Sequence, residues 1–175
     1  MQITSGTTQY DSIDIDNQNS SGSGIYLSNA SLIAGDTNVD LINPSSSGFS
    51  TGIWNVHGTI DLGKTTVNVS SPGYLQGVLS DGNSSLDSLS ITVNSEDNVA
   101  MGLYLQDSNA TNEQNNRFNV SGQTIVQVIA GSTAYGILSL NGDGYGNIGQ
   151  TDQIYGDVEI SVSGGNDAYG FYNDG

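Results

Sequence analysis

The sequence predicts an all-β fold, a right-handed parallel β-helix (β-solenoid) of about six coils with three short strands each. Three observations predict it. A Gly followed by a large apolar residue recurs along the chain. An apolar–polar–apolar triplet recurs ahead of that Gly at a nearly constant offset. No stretch holds a sustained 3.6-residue period, and Ala, Leu, Glu and Lys are too scarce for helices.

The Gly marker stands at Gly24-Ile25-Tyr26, Gly52-Ile53-Trp54, Gly77-Val78-Leu79, Gly102-Leu103-Tyr104, Gly136-Ile137-Leu138 and Gly170-Phe171-Tyr172, at intervals of 28, 25, 25, 34 and 34 residues. The triplets are Ile13-Asp14-Ile15, Val39-Asp40-Leu41, Val67-Asn68-Val69, Ile91-Thr92-Val93, Val126-Gln127-Val128 and Ile160-Ser161-Val162. Each ends 9, 11, 8, 9, 8 and 8 residues before its Gly. A weaker marker falls between them at Leu32-Ile33, Ile60-Asp61-Leu62, Leu86, Phe118-Asn119-Val120 and Ile154. Each cycle thus carries three period-2 strands separated by Gly, Ser, Asn and Asp turns. Winding places each strand beside its counterpart one coil away, about 4.8 Å off, with Ile, Val and Leu stacked inside. An antiparallel sandwich fits the strand spacing but leaves the return of the Gly at every third strand unexplained.

The Gly-to-middle-strand distance is 8, 8 and 9 residues in three cycles, then 16 and 18. The added length therefore enters at one corner, as loops at 107–117 and 141–153. Stacked insertions of this kind often form a solenoid's binding face, and surface loops also tolerate such growth without function.

Composition narrows the function. The chain has 175 residues, 18 carboxylates against two basic side chains, Lys64 and Arg117, and a formal charge of −16. Clustered cations are needed to hold nucleic acid or an anionic membrane surface, so neither is an expected partner. No apolar run is long enough to span a bilayer as a helix, and no signal-peptide pattern opens the chain. The absence of Cys excludes disulfides, thiolate metal sites and Cys nucleophiles.

Few residues suggest chemistry, and the expectation is a non-enzyme with no cofactor and no metal. His57 is the only histidine and sits in a turn, Val56-His57-Gly58. Gly144-Tyr145-Gly146-Asn147-Ile148-Gly149 has dinucleotide-loop spacing but precedes a β triplet instead of a helix. The same loop offers Asn141, Asp143 and Asp152 as weak calcium-ligand candidates, with Tyr145 spoiling one ligand place. Stacked carboxylates are the enzymatic alternative, a glycosidase or lyase. Asp14 and Asp40 share a triplet position, while Asp61 and Asp87 are level or two residues apart depending on which marker is counted.

The candidate contact surface is apolar. With Ile25, Ile53, Val78, Leu103, Ile137 and Phe171 inward, alternation turns Tyr26, Trp54, Leu79, Tyr104, Leu138 and Tyr172 outward as a stripe along the rod. The opposite register, which buries the stripe in the core, stays open on sequence alone. Asp107 and Arg117, at the ends of the first long loop, complete the candidate binding set.

The Cys-free, Gly/Ser/Thr/Asn-rich coils and the phrase Ala134-Tyr135-Gly136-Ile137, returning as Ala168-Tyr169-Gly170-Phe171, resemble the passenger domains of Gram-negative type V autotransporters. The resemblance covers about Ile13 onward and is one of composition and period. It implies a single β-solenoid segment of a longer passenger, uncapped at its last coil, and display at the bacterial outer membrane or secretion. It also implies a role in adhesion, self-association or biofilm formation. A host glycan, a host surface protein or another copy of the chain are then the expected partners. A passive stalk is the remaining alternative.

Overall fold

The fold is known from a computed structural model that describes residues 1–18, 21–43, 48–106, 117–140, 151–154 and 156–174. Among these residues there is no helix, and every strand pairing is parallel. The strands form three ladders. The first contains β1 (Gln2–Ile3), β4 (Gly22–Ser28), the start of β7 (Ser50–Ser71), the start of β8 (Leu75–Ser95), β9 (Ala100–Gln106), β12 (Thr133–Leu140) and β15 (Asp167–Asp174). The second joins β2 (Thr7–Tyr10), β5 (Ser31–Ala34), the middles of β7 and β8, β10 (Arg117–Val120) and β13 (Thr151–Ile154). The third joins β3 (Ile13–Asn17), β6 (Thr37–Ile42), the ends of β7 and β8, β11 (Thr124–Ala130) and β14 (Val158–Gly164). The chain visits the ladders in turn, the connectivity of a β-solenoid.

The recurring markers pair with one another. Ile25 is opposite Ile53, Ile53 opposite Val78, Val78 opposite Leu103, and Leu103 opposite Ile137. In the third ladder Val39, Val67, Ile91, Val126 and Ile160 are level in sequence, as are Leu41, Val69, Val93, Val128 and Val162. In the second, Leu62 faces Leu86 and Leu86 faces Val120. These columns form one buried core together with Leu27, Leu32, Ile60, Leu105 and Phe118, with Ile160 and Val162 partly buried against it. Each such side chain taken fully out of water contributes about 1.5–3 kcal/mol.

The first triplet is displaced from its expected level. Ile15, not Ile13, faces Val39, so Asp14 is level with Asn38 and Asp16 with Asp40. The pairing of Asp14 with Asp40 is thereby overturned. The turn back to the first ladder absorbs the difference, with Ile15 9 residues before Gly24 and Val39 13 before Gly52. Asp61 faces Ser85, and Asp87 lies two residues further along, as counting from the triplet requires.

The recurring Gly has a steric cause. A Cβ on Gly24, Gly52, Gly77, Gly102 or Gly136 would collide with the inward Val or Ile of the third ladder: Val39, Val67, Ile91, Val126 and Ile160 respectively. It would also lie 2.8, 2.6, 2.6, 2.6 and 2.5 Å from the carbonyl oxygen of the next Gly in the column. The first and third ladders therefore touch along a line that only Gly can occupy. At this line the Gly and the residue after it both face inward, so alternation slips by one and then resumes.

Gly77→Ala is accordingly expected to lower stability by about 1–3 kcal/mol through overpacking. Gly170, where a Cβ meets nothing within 4 Å, is the control. Gly170→Ala should change stability by no more than about 0.5 kcal/mol. Urea unfolding followed by circular dichroism measures both, and equal effects would refute the close-approach account.

Candidate functional site: an aromatic face on the first ladder

The slip at the Gly fixes which side chains of the first ladder face out. Outward positions fall three and one residues before each Gly, and two and four after it. The column two after contains the expected stripe, with Tyr26 opposite Trp54, Trp54 opposite Leu79, Leu79 opposite Tyr104, Tyr104 opposite Leu138, and Leu138 opposite Tyr172. The inward neighbours Ile25, Ile53, Val78, Leu103 and Ile137 are buried. Phe171 shares their column but is 63 % exposed, because β15 pairs only with β12.

The stripe is not continuous. Tyr26, Trp54 and Tyr104 are half-buried and Tyr172 is exposed. Leu79 and Leu138 are only 6 % and 4 % exposed. Each is a shorter side chain between taller aromatic neighbours one strand away, so each forms floor where the sequence placed contact surface.

Other columns supply rings that the sequence reading passed over. Phe49 and Tyr74, three before their Gly, stack at 5.5 Å and 20°. Phe49 meets Trp54 at 6.1 Å and 66°, and Trp54 meets Tyr26 edge-to-face at 5.3 Å and 82°. Such geometries follow the ring quadrupoles. One before the Gly, Thr51 Oγ1 donates to Gln76 Oε1 (3.2 Å), and Gln76 Nε2 approaches Met101 Sδ (3.9 Å). The Tyr74 hydroxyl donates to the same sulfur at 3.5 Å. In the same column Tyr135 and Tyr169 stack at 5.1 Å and 13°, with Tyr172 perpendicular to both at 5.8 and 5.5 Å. The face thus holds two ring clusters, one around Trp54 and Tyr74 and one around Tyr135. Counting outward positions from the Gly with the slip included would have found all of these residues.

Burial pushes the Tyr74 phenol above its ordinary value, helped by Tyr104 and Tyr135 and opposed by its hydrogen bond with Gln76. Burial also raises Tyr104, with the Asp81 carboxylate adding to it. For Tyr135 burial comes first, then Tyr169, Tyr172 and Asp167. A carboxylate thus acts on two rings of the face: Asp81, four after its Gly, on Tyr104, and Asp167, three before its own, on Tyr135.

The Trp54 cluster ends at the first corner. His57 stands there in the left-handed region at φ 53°, as Asn29 does at φ 51° one strand earlier. His57 Nδ1 is 4.0 Å from Asp81 Oδ2. Buried Asn55 ties the corner together. Its Nδ2 donates to the Asn83 carbonyl (3.1 Å) and Ser84 Oγ (3.2 Å), and its Oδ1 accepts from the Gly58 N–H (3.1 Å). Here β8 takes one residue fewer than β7, between the pairs Val56–Asp81 and Thr59–Asn83.

The remaining candidates lie elsewhere. Arg117 opens β10 on the second ladder, where its N–H donates to Asn83 Oδ1 (3.2 Å), and Lys64 lies between the second and third ladders. Asp107, Asn141 and Asp143 lie outside the described residues, as does most of both long loops, 107–117 and 141–153. Asp152 is placed by its backbone opposite Phe118. Three third-ladder carboxylates, Asp14, Asp16 and Asp40, are engaged by amides. Asn38 Nδ2 donates to Asp14 and Asp40 at 3.0 Å each, Asn68 donates to Asp40, and Gln18 donates to Asp16. Among the described residues no group of three or more His, Cys, Asp or Glu is placed to hold a metal ion. No family model, no curated protein and no solved structure matches the chain.

The raised phenols make stability fall at alkaline pH. A tyrosine that releases its proton less readily when folded leaves the folded chain holding more protons than the unfolded chain above about pH 10. The contribution is complete below that pH and is lost as pH rises through the raised folded values. Urea unfolding from about pH 9 to about pH 11 should show this decline, and Tyr74→Phe with Tyr104→Phe should flatten it. An unchanged slope in the double variant would contradict the assignment.

Proposed function

We propose that the chain is a contact module: a right-handed parallel β-helix of about six coils, secreted or displayed at the bacterial surface, that adheres through the aromatic face of its first ladder. The single observation that carries this reading is the alignment of Tyr26, Trp54 and Tyr104 at equivalent outward positions, with Phe49 and Tyr74 beside them. Half-buried rings set in a rigid strand ladder lose little conformational freedom when a partner covers them, which favours binding. Right-handedness is supported by the near-universal hand of parallel crossover connections. The resemblance to type V autotransporter passengers supports the location and a role in adhesion, self-association or biofilm formation. Repetition of the face along the rod allows weak contacts to sum by avidity.

A triple variant carrying Tyr26→Ser, Trp54→Ser and Tyr104→Ser separates contact module from stalk. Beads coated with the native chain should clump or attach to host-cell surfaces, and the variant should lose this while keeping its strand circular dichroism. Clumping between copies must overcome a charge of −16 on each, so added NaCl should strengthen it. Unchanged attachment and clumping in a folded variant would leave the stalk reading in place.

A further inference from the structure

We infer that the aromatic face takes a cationic partner, an extended Arg- and Lys-bearing segment of another protein, with the basic side chains laid on the rings of the Trp54–Tyr74 cluster. The inference rests on the reading of this face as a contact surface and adds the chemistry of what it contacts.

Charge and ring chemistry point the same way. The chain has 18 carboxylates and two basic side chains, and neither Lys64 nor Arg117 lies on the first ladder. The Asp81 carboxylate reaches Tyr104 electrostatically, and that of Asp167 reaches Tyr135. Ring faces are themselves the negative pole of the aromatic quadrupole. A guanidinium or ammonium set over Tyr26, Trp54 or Tyr104 gains the cation–π attraction, Asp81, itself 5 % exposed and beside His57, adds its charge near Tyr104, and the chain's charge of −16 raises the concentration of cations around it. Arg should be preferred to Lys, because its planar head stacks on a ring while still donating hydrogen bonds at its edge.

The strand pattern suits an extended partner. Tyr26 and Trp54 stand one strand spacing apart, about 4.8 Å, Trp54 and Tyr104 stand two apart across Leu79, and same-side residues of an extended chain repeat every 6–7 Å or so. Alternate basic residues of one segment could therefore reach rings on different strands. A second copy of this chain is the poorer fit, since it brings its own carboxylates and only two cations. A neutral glycan would gain from the rings but nothing from the charge.

The test titrates the full chain with three probes: a short alternating Arg-Ser peptide, its Lys-Ser counterpart and a neutral oligosaccharide. Trp54, the chain's only tryptophan, reports binding by fluorescence, and calorimetry covers the variants. The Arg peptide should bind saturably, more tightly than the Lys peptide, and more weakly as NaCl is raised. Tyr26→Leu or Tyr104→Leu, which leave the net charge intact, should each weaken it about 2- to 30-fold. Each Tyr→Leu variant should keep the native strand circular dichroism, which controls for misfolding. The double variant Asp61→Asn, Asp87→Asn on the second ladder should bind within about 2-fold of native, since it removes charge away from the face.

Basic-peptide binding that ignores the Tyr→Leu changes would be unspecific attraction and would overturn the inference. Oligosaccharide binding that those changes abolish, without basic-peptide binding, would overturn it while sparing the contact-surface reading. Attachment lost neither by those changes nor by the triple Ser variant would remove both.

Discussion

Everything in this molecule depends on how closely the first and third ladders approach. Along the Gly24–Gly136 column the backbone of one ladder lies against the Val and Ile side chains of the other, with no room for a Cβ. That contact fixes two things together. It holds the columns of Ile, Val and Leu in van der Waals reach of one another, where close packing can act. It also forces a local slip in the alternation of each first-ladder strand, because the Gly and its follower both face inward. Register is otherwise specified by the buried face alone. Here it is pinned a second time, by a line of contacts at which a one-residue shift puts a side chain where none fits.

The same contact explains what could be read from the sequence. A Gly that must repeat, facing a β-branched residue that must repeat, leaves two markers at a stable offset. The cycle, the three strands per cycle and the inward columns were therefore legible. The stripe at Tyr26, Trp54 and Tyr104 was legible because it follows the Gly directly, after alternation has resumed. The rest of the face was not, because Phe49, Tyr74, Tyr135 and Tyr169 lie on the far side of the slip, and plain alternation counted back from Ile53, Val78, Ile137 and Phe171 assigns them to the interior. The buried state of Leu79 and Leu138 was hidden for another reason. Exposure of an outward side chain depends on the height of its neighbours one strand away, which a single strand does not encode.

Corners are where repeat reading fails most plainly. The level of Asp14 is two residues from the expected one because Ile13-Asp14-Ile15 carries the apolar pattern while Ile15-Asp16-Asn17 pairs with Val39-Asp40-Leu41, so acids at matching places in two triplets are not neighbours. At the first corner, His57 and Asn29 both take a left-handed conformation that these residue types tolerate better than most. One strand later β8 omits the residue altogether, and Asn55 spans the irregularity with hydrogen bonds to both strands. A buried amide in that position has its polar atoms satisfied only while the corner keeps its shape, since leaving either end unpaired costs about 1–3 kcal/mol. Asn55 thus fixes the corner at which His57 stands 4.0 Å from Asp81.

Acidity and aromaticity are then two aspects of one surface problem. On the proposed reading of the face as a contact surface, half-covered rings along one side would also favour contact between copies if the chain were neutral. A charge of −16 opposes that tendency between like copies without altering the rings. It does not oppose contact with a surface of opposite sign. On a rigid ladder the two effects are separable in space, since charge acts over about a Debye length whereas ring contacts act only on touch. Selectivity between self and partner can therefore be set by composition, without a pocket, on the first ladder alone.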